Sequence, residues 1–200
     1  MSWTASDIQL WLGQCAERMI AAAPELNELD GKLGDGDLGA TLEKCAKLMQ
    51  DGLAGKFEKP ADVFKVCAMA CMRASGSSFG TLLAVAFMTL AKESADQTEI
   101  APRDVSGLMG KIIEALMARG KAKLGDKTVL DSLEAIRLAT ASLMNIAQLA
   151  ETASTAAGSA LDHYRDKPNQ IGRARMFAEK SIGMNDPGMV AALHIIGTSR

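Results

Sequence analysis

The chain has 200 residues, of which 48% are hydrophobic, 23% charged and 4% aromatic, and its formal net charge is −2. This length and hydrophobic content predict one globular domain over residues 1–200 and exclude a disordered chain. Acidic and basic residues are interspersed, so no basic surface for nucleic acid is predicted. The few aromatic residues argue against a platform for base stacking.

The sequence also argues against a membrane or secreted protein. The longest apolar run, residues 79–91, is shorter than the roughly 20 residues that a membrane-spanning helix needs. The N-terminus lacks the basic region and the small-residue cleavage site of a secretory signal. The cysteines lie in apolar helical patterns with no second pair to complete a zinc site, so we expect buried free thiols and a cytoplasmic location. They are Cys15, Cys45, Cys67 and Cys71.

Apolar residues recur at helical intervals over nearly the whole chain, and no segment shows a sustained β alternation. All five prolines lie at or near predicted helix ends. With mostly short loops between them, eight such helices predict an all-α bundle of antiparallel neighbours. The first helix is expected to begin after Ser6 and to continue past Met19, the second to cover residues 39–50, the third to follow Pro60 and the fourth to cover residues 78–92. The fifth is expected near Pro102, the sixth from Thr128 towards Met144, the seventh over residues 147–164, and the eighth from Asp186 to Gly197.

Four polar, glycine-rich segments separate these helices. They follow the first, third, fifth and seventh helix, and in an up-and-down bundle every second loop lies at the same end. We therefore expect the four segments to converge on one rim. They are residues 30–39, 74–80, 120–128 and 181–188.

The first segment reads DGKLGDGDLG and carries three aspartates, Asp30, Asp35 and Asp37. Carboxylates this close repel one another unless a cation gathers them. Magnesium takes carboxylate oxygens as ligands, with water and substrate phosphate completing its shell. The spacing does not match the EF-hand pattern for calcium. Taken alone, the segment is compatible with a magnesium site and with a solvated turn.

The other three segments offer groups that suit phosphate. The second, RASGSSFG, leads into a helix whose N-terminus favours an anion, although an ordinary serine cap is an equal alternative. The third brings three lysines and Asp126, which could simply cap the sixth helix. The fourth brings Arg173, whose guanidinium could bind phosphate through two hydrogen bonds. Together with the acids, these groups indicate a site for nucleotide phosphates, where positioning and charge neutralisation are the protein's tasks.

The same four segments resemble, in order, motifs of the nucleotide-binding L subunit or domain of the dihydroxyacetone kinases. They read LDGKLGDGDLG, ASGSSFG, GKAKLGDKTVLD and GRARMFAEKSIGMNDPG. The resemblance spans nearly the whole chain from Asp30 to the last helix. It implies a closed barrel of eight antiparallel helices that binds Mg-ADP or Mg-ATP at one end.

The resemblance also implies a role for individual residues. Asp30, Asp35 and Asp37 would hold two magnesium ions, and Asp30 and Arg173 would be the catalytic residues. The implied nucleotide contacts are Leu38, Thr41, Ser75, Gly76, Ser77, Gly120, Gly125, Lys127, Thr128, Arg173, Asp186 and Gly188.

Two positions depart from the family pattern. Leu38 stands where the family commonly has histidine, and Met72 and Arg73 stand where it commonly has two glycines. Neither change touches the predicted magnesium acids, so a kinase subunit is the favoured interpretation. The altered second segment favours an alternative, a non-catalytic nucleotide-binding regulator of the same fold. A helical interaction domain that binds no nucleotide is a third hypothesis.

In this family a separate K subunit or domain binds the ketose covalently through its own histidine. The resemblance therefore implies such a partner for this chain. Two donor schemes exist in the family: ATP exchanges as a substrate, or bound ADP is rephosphorylated by a phosphohistidine carrier protein. The sequence gives a slight preference to exchange of ATP.

Overall fold

A computed structural model describes residues 2–74 and 76–197. These residues form eight α-helices, three short 3-10 helices and one two-stranded sheet. The helices are α1 (Ala5–Leu33), α2 (Leu38–Leu53), α3 (Pro60–Ala74), α4 (Ser78–Glu93), α5 (Pro102–Gly120), α6 (Val129–Ala139), α7 (Leu149–Arg165) and α8 (Pro187–Ile196). Strands β1 (Trp3–Thr4) and β2 (Glu99–Ile100) pair antiparallel, with Trp3 opposite Ile100.

Each helix packs against the next one along the chain, and α8 packs back against α1. The largest cluster of buried apolar side chains draws on α1, α2 and α3 and includes the four cysteines, which are buried free thiols as predicted. Among the described helices, none is both long and apolar enough to cross a bilayer. The predicted all-α fold is confirmed.

Helix α1 differs from the prediction at both ends. Its cap is Thr4 rather than Ser6, because Thr4 exchanges hydrogen bonds with Asp7 in a capping box. It also continues through Pro24 to Leu33, so this proline does not mark a helix end. A proline inside a helix costs about 3 kcal/mol. The ring of Pro24 faces solvent, and buried leucines at 26 and 33 hold the last turns against the core.

Helix α6 is shorter than predicted and ends at Ala139 instead of continuing towards Met144. The hydroxyl of Thr140 donates to the Ile136 carbonyl at 2.8 Å, and a turn follows. Met144 is 83% exposed, whereas Leu143 is buried with Ile146 and Leu149 in a small apolar cluster that forms outside α6. The apolar residues after Ala139 therefore continue the helical pattern in the sequence, but those that are buried pack after a turn and not on a longer helix.

Helices α1 and α2 are in close backbone contact at Gly39. A methyl group at Gly39 would overlap the Ala23 carbonyl oxygen and lie 2.8 Å from Oδ1 of Asn27. The same Asn27 oxygen accepts the N–H of Ala40 at 3.0 Å. This contact fixes the two helix ends that the short connection at residues 34–37 must join.

Replacing Gly39 by alanine should lower the free energy of unfolding by about 1–3 kcal/mol, because the backbone of α1 would have to move. Denaturant titration measures this loss. The matched control is Gly107→Ala in α5, where a methyl group meets no atom within 4 Å. That change should stabilise the protein by up to about 1 kcal/mol, since alanine is the better helix former. Equal effects of the two changes would contradict the close contact of α1 and α2.

Candidate functional site

The connections that follow α1, α3, α5 and α7 meet around one cavity of about 310 Å³, as the alternation of loops predicted. Ten of the residues expected at a nucleotide site line this cavity. They are Asp30, Asp35, Asp37, Leu38, Gly76, Ser77, Thr128, Arg173, Asp186 and Gly188.

The other expected residues do not line this cavity. Thr41 is buried in α2, and the N–H of Gly125 donates to Oδ1 of Asp131 at 2.6 Å. Lys127 is completely buried, and Gly120 lies in an adjoining cavity. Ser75 lies outside the described residues.

The three aspartates of the first segment come together. Asp30, Asp35 and Asp37 each offer one carboxylate oxygen, and these oxygens all lie within 4.8 Å of one another. Asp30 stands in the last turn of α1, where its Oδ2 accepts the N–H groups of Asp37 and Leu38 at 3.0 and 3.3 Å. These bonds fix the direction of the Asp30 carboxylate. The candidate metal ligands are hard carboxylate oxygens from the end of α1 and the connection that follows it, which fits magnesium.

Two glycines let the chain fold over Asp30. A methyl group at Gly34 would lie 2.7 Å from Oδ1 of Asp30, so only glycine leaves this oxygen accessible. Gly36 has a φ of +74°, which favours glycine over residues with a side chain. The glycines that attract attention in the sequence therefore have a structural task at the acid cluster.

A positive charge faces the acids from across the cavity. Arg173, in the 3-10 helix Arg173–Phe177, forms an ion pair with Asp35. Both side chains are substantially exposed, so this pair contributes at most about 1 kcal/mol to stability. Its importance is positional, because it brings the connection between α7 and α8 to the acid cluster.

Four helices begin at this cavity, and the residue that precedes each of them lines it. These residues are Asp37 before α2, Ser77 before α4, Thr128 before α6 and Asp186 before α8. The free N–H groups at a helix start carry a partial positive charge and bind phosphate oxygens well. The cavity therefore combines a carboxylate cluster with four positive helix ends.

The cap of α6 is Thr128, whose hydroxyl accepts the N–H of Leu130 at 3.2 Å. The alternative that Asp126 caps this helix is wrong. Asp126 instead accepts the N–H of Lys123 at 2.9 Å and stabilises the turn before the helix.

Asp186 is a buried cap. Its two oxygens accept the N–H of Met189 and the side-chain amide of Asn169, both at 2.9 Å. Burial raises the pKa of Asp186 to about 6, although both hydrogen bonds and the nearby Lys127 ammonium oppose the rise.

Sequence reasoning missed the apolar walls of the site. Leu82, Val129 and Ile171 line the cavity beside the acid cluster and also an adjoining cavity of about 360 Å³, to which Leu116 and Gly120 contribute as well. Leu82 follows Ser78 by four residues on α4, which places both on one helix face. That spacing was the available signal, but an apolar residue in an apolar helix does not stand out.

Residues 32–199 match the family model described as the DAK2 domain, so the chain belongs to the DAK2 domain family. The family predicted from the four motifs is therefore confirmed.

Several named kinases and kinase subunits are similar to this chain over most of its length. It is 30% identical over 193 residues to the PTS-dependent dihydroxyacetone kinase, ADP-binding subunit DhaL, of Lactococcus lactis, covering 94% of this chain and 92% of the relative. It is 24% identical over 201 residues to the PEP-dependent dihydroxyacetone kinase, ADP-binding subunit DhaL, of Escherichia coli, covering 98% and 96%. The L-erythrulose kinase of Pectobacterium atrosepticum is 29% identical over 192 residues, which are 92% of this chain and 32% of that protein.

The fold is also that of a solved kinase structure. The dihydroxyacetone kinase from C. freundii in complex with AMP-PNP and Mg2+ superposes with a TM-score of 0.76 at 19% identity. The match covers 98% of this chain and 34% of the kinase, so the chain spans about a third of that protein.

Asp186 should make stability depend on pH in an identifiable way. Its folded pKa lies near 6, above its ordinary value of 3.8, so its contribution is full below pH 4 and is lost as the pH rises to about 6. We expect the free energy of unfolding of the wild type, minus that of Asp186→Asn, to fall by about 3 kcal/mol over this range. Denaturant titrations at several pH values measure the difference, and a difference that is flat or rises with pH would contradict the assignment.

Arg173 should compete with a cation for Asp35. In Arg173→Ala the carboxylates lose their internal counter-charge, so Mn2+ or Mg2+ without nucleotide should bind up to about fivefold more tightly. Calorimetry with the metal alone measures this. The control is Arg175→Ala, an exposed arginine of the same segment that does not line the cavity. Weaker metal binding by Arg173→Ala would show that the ion pair does not oppose the cation.

Proposed function

We propose that this chain is the nucleotide-binding, phosphoryl-donating subunit of a dihydroxyacetone-type kinase, and hence part of a phosphotransferase. The observation that carries the proposal is the cavity itself. The chain is a member of the DAK2 domain family, and its three carboxylates, four helix N-termini and one arginine face the same cavity. A nucleotide diphosphate or triphosphate with its magnesium matches this pattern of charge.

The aspartates are the proposed metal ligands. Asp30 is held in place by two backbone N–H groups, while Asp35 and Asp37 are exposed, and Asp35 would exchange its ion pair with Arg173 for the cation. When bound there, magnesium would neutralise phosphate oxygens and align them for transfer. The two ions implied by the family resemblance are part of this proposal, and three carboxylates supply charge for them.

The phosphates and the nucleoside are proposed to occupy different parts of the site. Gly76 and Ser77 lie at the start of α4 and Thr128 at the start of α6, where the partial positive charge of the helix end would attract the phosphates. The adjoining cavity has apolar walls, including Leu82 and Leu116, and suits a flat base. Because several residues line both cavities, one nucleotide could reach from one into the other.

Arg173 and Asp30 are the proposed catalytic residues. Arg173 is exposed on a short 3-10 helix, so its guanidinium can leave Asp35 and turn to a phosphate once a cation takes over the carboxylate. Asp30 would keep its place, because its oxygen already binds the backbone at the start of α2.

The relatives favour one of the two donor schemes. Those that match over nearly their whole length are named ADP-binding subunits of PTS- or PEP-dependent kinases. We therefore propose that ADP stays bound and is rephosphorylated by a phosphohistidine carrier protein, in place of the exchange of ATP that the sequence slightly favoured. We also propose a separate K subunit that holds a small ketose, and a cytoplasmic location.

The non-catalytic regulator is less well supported. Its main support was the pair Met72 and Arg73, but both side chains are exposed at the end of α3 and neither is among the residues that line the cavity. Leu38 does line it, and its N–H still holds Asp30. The departures from the family pattern therefore leave the charged groups of the cavity in place.

Asp30→Asn should abolish magnesium-dependent binding of ADP, because one negative charge is lost at the centre of the cluster while the residue remains a hydrogen-bond acceptor. Calorimetric titration of nucleotide-free protein with ADP, with and without magnesium, measures this. The control is Glu28→Gln, an exposed acid on the same helix that pairs with Lys32. Wild-type affinity in Asp30→Asn would sink the assignment of the metal ligands.

Transfer itself separates the kinase from the regulator. The wild type, supplied with a cognate K subunit and dihydroxyacetone or erythrulose, should transfer phosphate, and Asp35→Asn should not. Tight ADP binding without transfer to any ketose would favour the regulator.

A further inference from the structure

Lys127 is completely buried, and its ammonium group is fully occupied by the backbone. Nζ donates to the carbonyl oxygens of Arg165 at 2.9 Å, Lys167 at 2.7 Å and Ser181 at 2.7 Å. An ammonium has three donors, so none is left for a phosphate. Burial lowers the pKa of Lys127, and the carboxylates of Asp186 and Asp166 oppose this. The nucleotide contact that the family resemblance implied for Lys127 therefore has no support in this geometry.

The three carbonyl groups belong to the two ends of one connection. Arg165 ends α7, Lys167 lies two residues further along the chain, and Ser181 lies shortly before α8. One side chain thus ties the start of the connection at residues 166–186 to its end. Removing either the buried ammonium or its carbonyl partners would cost free energy, because no water replaces the lost hydrogen bonds.

We call the bonds of Lys127 to Arg165, Lys167 and Ser181 the clasp, and Asn169 connects this clasp to the site. Its side-chain nitrogen donates to the Lys127 carbonyl and to Oδ2 of Asp186, both at 2.9 Å, and its backbone N–H donates to the Ser181 hydroxyl at 2.9 Å. Asn169 is only 2% exposed. The network therefore joins the segment before α6, the connection after α7 and the cap of α8.

Polar contacts, and not apolar packing, hold the shape of this connection. Besides this network, the N–H of Gln170 donates to the Asp126 carbonyl at 3.1 Å, and the N–H of Gly183 donates to the Arg165 carbonyl at 2.9 Å. Within residues 166–186 the buried side chains are Asn169, Ser181 and Asp186, all polar and all members of this network. No apolar side chain of the connection is buried. Packing in the core therefore cannot position Arg173, which lies between the two ends that Lys127 holds.

We propose that Lys127 is a positioning residue, which together with Asn169 clasps the connection so that Arg173 faces the acid cluster and the start of α8 faces the same cavity. The proposal rests on the proposed function, because the value of this position is the binding of nucleotide phosphates. Lys127 would act through Arg173 and would not touch the nucleotide.

The test is a double-mutant cycle on magnesium-dependent ADP affinity. Lys127→Met keeps the length of the side chain and removes its donors, and we expect a loss of about tenfold. Lys123→Met is the control, an exposed lysine of the same segment, and should stay within about twofold of the wild type. Magnesium binding without nucleotide should not weaken in Lys127→Met, since the aspartates stand on α1 and its connection to α2, and it should tighten by up to about fivefold if Arg173 is no longer held against Asp35.

The cycle separates positioning from mere stabilisation. If Lys127 acts through Arg173, then Arg173→Ala should weaken ADP binding far less in the Lys127→Met background than in the wild type. Independent effects that multiply, or wild-type affinity in a folded Lys127→Met protein, would overturn the proposal. Circular dichroism and a cooperative thermal transition establish folding.

A second variant covers the case in which Lys127→Met does not fold. Asn169→Ala removes the bridge to Asp186 while leaving the ammonium in place, and it should also weaken ADP binding and couple to Arg173. Undiminished affinity, or no coupling, in that variant would overturn the proposal. A wild type that binds no ADP with magnesium would instead refute the proposed function, so the two failures are distinguishable.

Discussion

The partial positive charges at the starts of α2, α4, α6 and α8 are the constraint around which this site is built. The first four N–H groups of any α-helix lack partners within the helix, and one capping side chain satisfies only part of them. Because all four of these helices begin at one cavity, their partial positive charges add there. Three neighbouring carboxylates are tolerable in such a place, and phosphate groups are attracted to it.

The two sides of the cavity are held by different kinds of interaction. On one side, α1 and α2 touch at Gly39, and the backbone of α2 binds Asp30 directly, so the acid cluster is part of the helix packing. On the other side, a buried lysine and a buried asparagine hold a connection that adds no apolar side chain to the core. Arg173 and Asp35 meet where these two parts face each other.

The sequence predicted those features of the structure that depend on the order of the helices and on the spacing of apolar residues. The helical period and the alternation of loops depend only on the number and order of the helices, so the convergence of four segments followed from them. The path of α1 through Pro24 did not follow, because the burial that outweighs the proline comes from the rest of the fold. The burial of Lys127 could not be predicted from the sequence either. A lysine among glycines resembles a solvated one, and its partners lie 38, 40 and 54 residues further along the chain.

The absence of buried apolar side chains in the connection at residues 166–186 also bears on how the protein can change during evolution. Most of its positions can accept substitutions without weakening the core, provided that the few polar residues of the clasp are kept. The surface around Arg173 can therefore diverge between relatives while the bundle stays stable. By contrast, a change at the α1–α2 contact alters folding and the acid cluster together, so that side of the cavity has little freedom to vary.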